Sequence, residues 1–280
     1  MKRVRLLAAA LLSITFLASQ AVPSRAQEVV PPAAPAPDAP AQSSGTISVR
    51  YEPTKKKSLK RFEALARKTG VFEDNARMLS EQFILPGDLD IVFKDCDEAN
   101  AFYSYENHSI TMCYEMLEES AKLFRGVAKP ASAVDSAVLY STIWTLYHEM
   151  GHALISLLDI PATGKEEDAV DQFSTLVLLQ SGEQEADAVA IAAEEFRLSA
   201  AARAKGEEFP FWDVHSMDEQ RFYNILCLVY GENPEKESNK TMVEDGDLPQ
   251  ARTEGCEAEY QQFDRAWTRL TDPYLRKKSP

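Results

Sequence analysis

The apolar positions of this chain change period several times, and those changes divide it into elements. Ile47 to Glu52 reads as a strand, and Leu89-Asp90-Ile91-Val92-Phe93 alternates like a second one after the Pro86-Gly87 turn. Ala101–Ser104 and Ser109–Cys113 flank Tyr105-Glu106-Asn107-His108, which predicts a hairpin. Lys57 to Thr69 and Val71 to Phe83 carry helical patterns separated at Gly70, and Tyr114 to Phe124 is helical before a break at Lys129-Pro130. Ile143, Leu146, Tyr147, Met150, Leu154, Leu157 and Leu158 then keep three-four spacing, with no proline between Ser141 and Asp159. A long helix is expected there. A turn around Asp159 to Gly164 leads to helices at Glu166 to Leu179 and Glu183 to Ala204. Phe209 to Ser216 reads as an aromatic loop, Asp218 to Tyr230 as a helix, Gly231 to Pro249 as a polar stretch, and Glu254 to Leu270 as a last helix. No internal repeat is present. A few strands followed by mostly helices is an α+β order, a small mixed sheet and then a largely helical C-terminal part.

The N-terminus stands outside this pattern. Met-Lys-Arg-Val-Arg precedes an apolar run from Leu6 to Leu17, with small residues beyond it, the parts of a secretory signal over residues 1–26. Cleavage is expected after Ala21 or Ala26. The run is short for a membrane span, and no later segment holds about 18 consecutive apolar residues. Residues 27–45 are rich in proline and alanine and read as an extended linker. One folded domain over residues 46–280 remains, ample for a core of moderate size. The expected location is the periplasm or the extracellular space.

The formal charge is −14, and removing the four cations of the first 26 residues deepens it to −18. Such a balance argues against nucleic acid or an anionic membrane surface as partner, and leaves the oligomeric state open. Four cysteines, Cys96, Cys113, Cys227 and Cys256, fit an oxidising compartment and two disulfides. Three pairings are possible. The local one, Cys96–Cys113 with Cys227–Cys256, closes loops worth on the order of 3 kcal/mol each. A four-cysteine zinc site is the competing arrangement, but close CxxC pairs are absent.

The chemistry is concentrated in His148-Glu149-Met150-Gly151-His152 on the expected long helix. Residues four apart share a helix face, about 6 Å apart, so both imidazoles can reach one metal ion. Glu149, one step round, can act as base toward a water on that metal. The plainer alternative is a helix with two half-exposed histidines and a surface glutamate. A hydrolytic zinc usually keeps three protein ligands. The chain has only four histidines, so the third ligand is expected to be a carboxylate. Glu167 and Asp171 stand one turn apart in Lys165-Glu166-Glu167-Asp168-Ala169-Val170-Asp171, the ExxxD spacing of glutamate-zincins. In that arrangement Glu167 would bind metal and Asp171 would orient a ligating histidine. Glu166, Asp168 and Glu183, the last beginning a second ExxxD with Asp187, stay open as rivals. His215 and Tyr223 are candidates for a donor to the oxyanion of peptide hydrolysis. Asp213 is equally a ready local partner for His215. His108, in the hairpin turn, is expected in solvent.

HEMGHALISLLDIPATGKEEDAVDQFSTLVLL, FWDVHSMDEQRFYNILCLVYG, DCDEANAFYSYENHSITMCYE and CEAEYQQFDRAWTRL resemble segments of the bacterial "putative metallopeptidase" family, once grouped as a domain of unknown function. The resemblance runs from about Ile47 onward with the segments in the family's order. The family's second block reads GREEDAxD, so the resemblance favours residues 166–171 over Glu183 as the acidic partner; Lys165 replaces the family's arginine. It implies a zincin-like α+β protein in which His148, His152 and Glu167 bind Zn²⁺ and Glu149 activates the water that attacks a peptide or protein substrate. The Phe102–Cys113 hairpin is expected to offer an edge strand to that peptide. The alternative is an exported metal-binding or peptide-binding module of the same fold without turnover; a third is hydrolysis of a non-peptide amide.

Overall fold

The computed structural model describes residues 45–203 and 211–276. The expected signal segment and nearly all of the expected linker lie outside them. Gly45 already belongs to the fold, since its N–H donates to the Leu85 carbonyl at 3.2 Å.

Four strands make one sheet: β1 (Ile47–Tyr51), β2 (Leu89–Lys94), β3 (Ala101–Ser104) and β4 (Ser109–Cys113). Their spatial order is β1-β2-β4-β3, with β1 and β4 parallel to β2 and β3 antiparallel to β4. The sheet is therefore mixed, and β3 is an edge. Helices α1 (Lys60–Lys68) and α2 (Val71–Gln82) form the crossover between the parallel strands β1 and β2. Gly70, at φ +66°, turns the chain between them, a backbone conformation that side chains resist. Phe72 and Tyr51 pack on Phe93 at ring separations of 4.7 and 5.0 Å, joining helix and sheet.

Helix α3 (Tyr114–Phe124) follows β4 directly, and α4 (Ala131–Leu157) then runs for 27 residues through the middle of the protein. It packs against α3, α5, α6 and strands β3 and β4. Such surroundings demand a helix apolar nearly all round, and Ser141–Leu146 and Tyr147–Ile155 are buried almost without interruption. Its hydroxyls are satisfied locally, as where Thr142 Oγ1 donates to the Val138 carbonyl at 2.7 Å. The helix closes at Leu158, Asp159 turns at φ +52°, and α5 (Glu166–Ser181) returns along it. Ser174 Oγ donates to the Trp144 carbonyl at 2.7 Å, tying the two helices midway. Then come α6 (Glu183–Ala202), α7 (Asp218–Glu232), α8 (Glu237–Glu244), α9 (Gln250–Thr253) and α10 (Cys256–Thr271).

The polar stretch after α7 contains α8, which the apolar pattern does not signal. A single buried amide anchors that segment: Asn239 Nδ2 donates to the carbonyls of Val229 and Asn233 at 2.9 and 2.8 Å. The cysteines pair locally, Cys96 with Cys113 and Cys227 with Cys256. The second pair joins α7 to the start of α10. Among the described residues no helix is long and apolar enough to cross a membrane.

Candidate metal centre

About one and a half turns of α4 carry His148, Glu149 and His152, and all three side chains are buried, at 4, 5 and 8 % exposure. That burial removes the reading of two half-exposed surface histidines. The first turn of α5 carries Glu166, Glu167 and Asp168, where acids also favour the positive end of the helix dipole. The crossing of α4 and α5 brings the two sets together.

Glu167 Oε2 lies 3.2 Å from His148 Nε2 and 3.2 Å from His152 Nε2. One ligand atom from each of His148, His152 and Glu167 falls within 4.8 Å of the others. The far nitrogens face acids as well. His148 Nδ1 is 2.7 Å from Asp171 Oδ1, and His152 Nδ1 is 2.7 Å from Glu166 Oε1. An Nδ1–H donated outward leaves the Nε2 lone pair aimed at the common point. Two lone pairs and a carboxylate oxygen facing one another repel unless a cation or protons lie among them. In the metal-free state burial pulls the His148 imidazolium down, and Asp171 and Glu167 more than offset it, holding its pKa up at about 9. For Glu167, burial raises the carboxyl, but the imidazoles of His148, His152 and His215 drive it far below the ordinary range. The donor set thus suits a divalent cation.

The neighbouring acids are sorted by helical phase. Glu166 bonds His152 and accepts from the Tyr105 hydroxyl at 2.8 Å, and Asp168 Oδ1 accepts from Ser216 Oγ at 2.6 Å. Neither belongs to the convergent group. The Glu183 side chain lies outside the described set, while Asp187, its partner in the rival spacing, is exposed. Asp171 is largely but not fully shielded, and desolvation alone would raise its carboxyl; Arg221 and His148 instead hold it down at about 2. Arg221 Nε and Nη2 donate to its two oxygens at 2.8 and 2.7 Å. That guanidinium also lies 4.1 Å above the Phe196 ring.

Glu149 points away from the acids, toward the sheet. The backbone of edge strand β3 at Tyr103 bonds its carboxylate, yet burial is the stronger effect and pushes its pKa up. His215, from the turn before α7, joins the centre: its Nε2 is 3.1 Å from Glu167 Oε2, and its ring stacks 6.2 Å from that of His148. Asp213 Oδ1 also sits 3.1 Å from His215 Nδ1, so the local partnership and the site partnership coexist. An acid on each ring nitrogen favours the imidazolium form, and the Glu167 bond raises its pKa most. Tyr223, the other donor candidate, is not brought in. It lines a separate depression with Arg197, Phe222 and Asp247, because it projects from another face of α7. His108 is exposed at the hairpin tip and touches Tyr103 Oη through Nδ1 at 2.9 Å.

Arg221 and Tyr105 carry parts of the site that residue-type reasoning missed. Both lie inside the family-like segments FWDVHSMDEQRF and FYSYENH, but nothing local marks an arginine or a tyrosine as a support for distant carboxylates.

The described residues thus form an α+β protein whose central helix and its return helix carry a histidine–histidine–glutamate group of metal-binding geometry. The family model described as "Putative metallopeptidase" matches residues 51–271, and the chain belongs to that family. No curated protein and no solved structure matches it.

Proposed function

We propose that this chain is an exported, zincin-like zinc metallopeptidase that hydrolyses peptide bonds. The observation that carries the reading is the convergence of His148, His152 and Glu167 within 4.8 Å beside a buried glutamate. When bound, zinc supplies Lewis acidity, bringing a coordinated water's pKa toward about 7 and polarising the substrate carbonyl. His148, His152 and Glu167 would hold the ion, and Asp171 and Glu166 would keep the imidazoles in the ligating tautomer. Glu149 would accept the proton of the attacking water and return it to the departing amine; its burial makes it a stronger base than an exposed carboxylate. His215, whose Nε2 lies beside the convergent group, would donate an N–H to the carbonyl oxygen as that oxygen gains charge. Edge strand β3, bonded through Tyr103 to Glu149, aligns an extended peptide across the site. Two disulfides support an oxidising, exported setting.

The test compares wild type with Glu149→Gln. Both should take up equimolar zinc, while hydrolysis of a peptide library falls by about 10²-fold or more in the variant. A wild type that cleaves no peptide, or a variant that cleaves equally well, would overturn the reading in favour of a binding module.

A further inference from the structure

Beside the metal-binding group lies a cavity of about 280 Å³ that reaches His148 and Glu149. Met116 of α3, Trp144 of α4 and Phe196 of α6 give it apolar walls, and Ala101 at the start of β3 borders it. Glu195, on α6, also lines this space. Ser120 Oγ donates to Glu195 Oε2 at 3.2 Å, and Ser141 Oγ donates to the same oxygen.

Among the described residues Glu195 enters no ion pair. Arg221, in the same wall, is held by both oxygens of Asp171. Even a partly desolvated carboxylate without a counter-cation is costly, and hydroxyl donors only partly compensate. Burial accordingly pushes the Glu195 carboxyl up against the opposing bonds from Ser141 and Ser120. If this residue served only to tie α3, α4 and α6 together, a glutamine could accept the same two bonds with no charge to desolvate. What the charge adds is recognition of a cation. Apolar walls leading to a half-buried acid suit a side chain with a methylene stem and a positive end.

We propose that this cavity receives a lysine or arginine side chain of the substrate, next to the bond cut at Glu149, with Glu195 pairing its cationic end. The substrate being a peptide rests on the peptidase reading above; the preference for a cationic side chain rests on the cavity alone.

Two measurements keep these apart. On zinc-loaded full-length protein, N-acetyl-lysinamide, N-acetyl-argininamide and N-acetyl-leucinamide are titrated by NMR. The cationic probes should bind about tenfold tighter than the leucine probe, and Glu195→Gln should erase that ratio, since a tenfold ratio is the order expected of one charge-assisted contact. In parallel, the peptides cleaved by wild type should be enriched in lysine or arginine at one position beside the cut, an enrichment reduced in Glu195→Gln. Should that variant misfold, Ser141→Ala and the wild-type probe ratio carry the test. Equal binding of the leucine and cationic probes by wild type would overturn the proposal even if peptides are cleaved. A retained cationic preference without any cleavage would sink the peptidase reading and leave the pocket standing.

Discussion

A methyl group placed on Gly151 would lie 2.8 Å from both Cβ and Cγ1 of Val170. Real Cβ atoms do not approach that closely, so α4 and α5 cross where only a hydrogen fits. Val170 lies one turn beyond Glu167, and Gly151 precedes His152. The missing side chain therefore sets how near the α5 acid comes to the α4 imidazoles. Gly151→Ala should cost about 1–3 kcal/mol of stability through overpacking. It should also weaken zinc affinity by pushing Glu167 outward. Thermal denaturation and zinc competition with a chelator measure the two effects, and Val170→Ala in the same chain should recover part of both.

The acids of α5 should separate by role. His148→Ala, His152→Ala and Glu167→Ala should each lose zinc after dialysis, read by elemental analysis. Glu166→Gln should retain zinc with affinity reduced about 10–100-fold, because it touches His152 Nδ1 and not the convergent point. Asp168→Asn should bind normally. Zinc loss in Glu183→Ala with retention in Glu167→Ala would reverse the assignment.

Arg221 matters through Asp171. Arg221→Leu leaves a largely shielded carboxylate without its guanidinium, a change worth about 3–5 kcal/mol. Arg221→Lys should rescue only partly, since one ammonium cannot reproduce the two-pronged contact. Urea denaturation of the zinc-free forms isolates this from metal binding.

An acid-range effect is expected far from the metal. Partial burial raises the Glu115 carboxyl, but the Lys56 ammonium and the N–H groups of Cys96 and Asp97 outweigh it and hold its pKa below the ordinary value. A depressed folded value means stability that is present above the unfolded value of about 4.3 and lost as pH falls through the folded one. Glu115→Gln should lower stability at neutral pH by on the order of 1 kcal/mol, solvent screening limiting the effect. It should also flatten the stability profile below about pH 5, where the unfolded carboxyl begins to bind protons and the folded one does not. An unchanged slope would mean that this carboxylate is not what the acid transition reads.

The strands, the hairpin, the first seven helices and the last, α10, were legible in the chain, because period-2 and three-four patterns report which faces meet the core. Gly70 and the Lys129-Pro130 break were readable for the same local reason. Helix α8 was not, since its few apolar contacts, Met242 and Val243, make no extended pattern and a buried asparagine ties the segment down.

For the site, the chain alone determined that His148 and His152 share a face with Glu149 beside it, because helix pitch is a local property. It also supplied a short list of acids for the remaining position. The ExxxD spacing also favoured Glu167 with Asp171, and His215 was a candidate. That Glu167 rather than Glu166 or Asp168 lies against both imidazoles, that His215 reaches it while Tyr223 faces elsewhere, and that Arg221 stands behind Asp171 came from tertiary structure. Each depends on the angle and closeness at which separate helices pack, and a one-residue step along a helix turns a side chain by about 100°. No local pattern encodes which of those directions another element will meet.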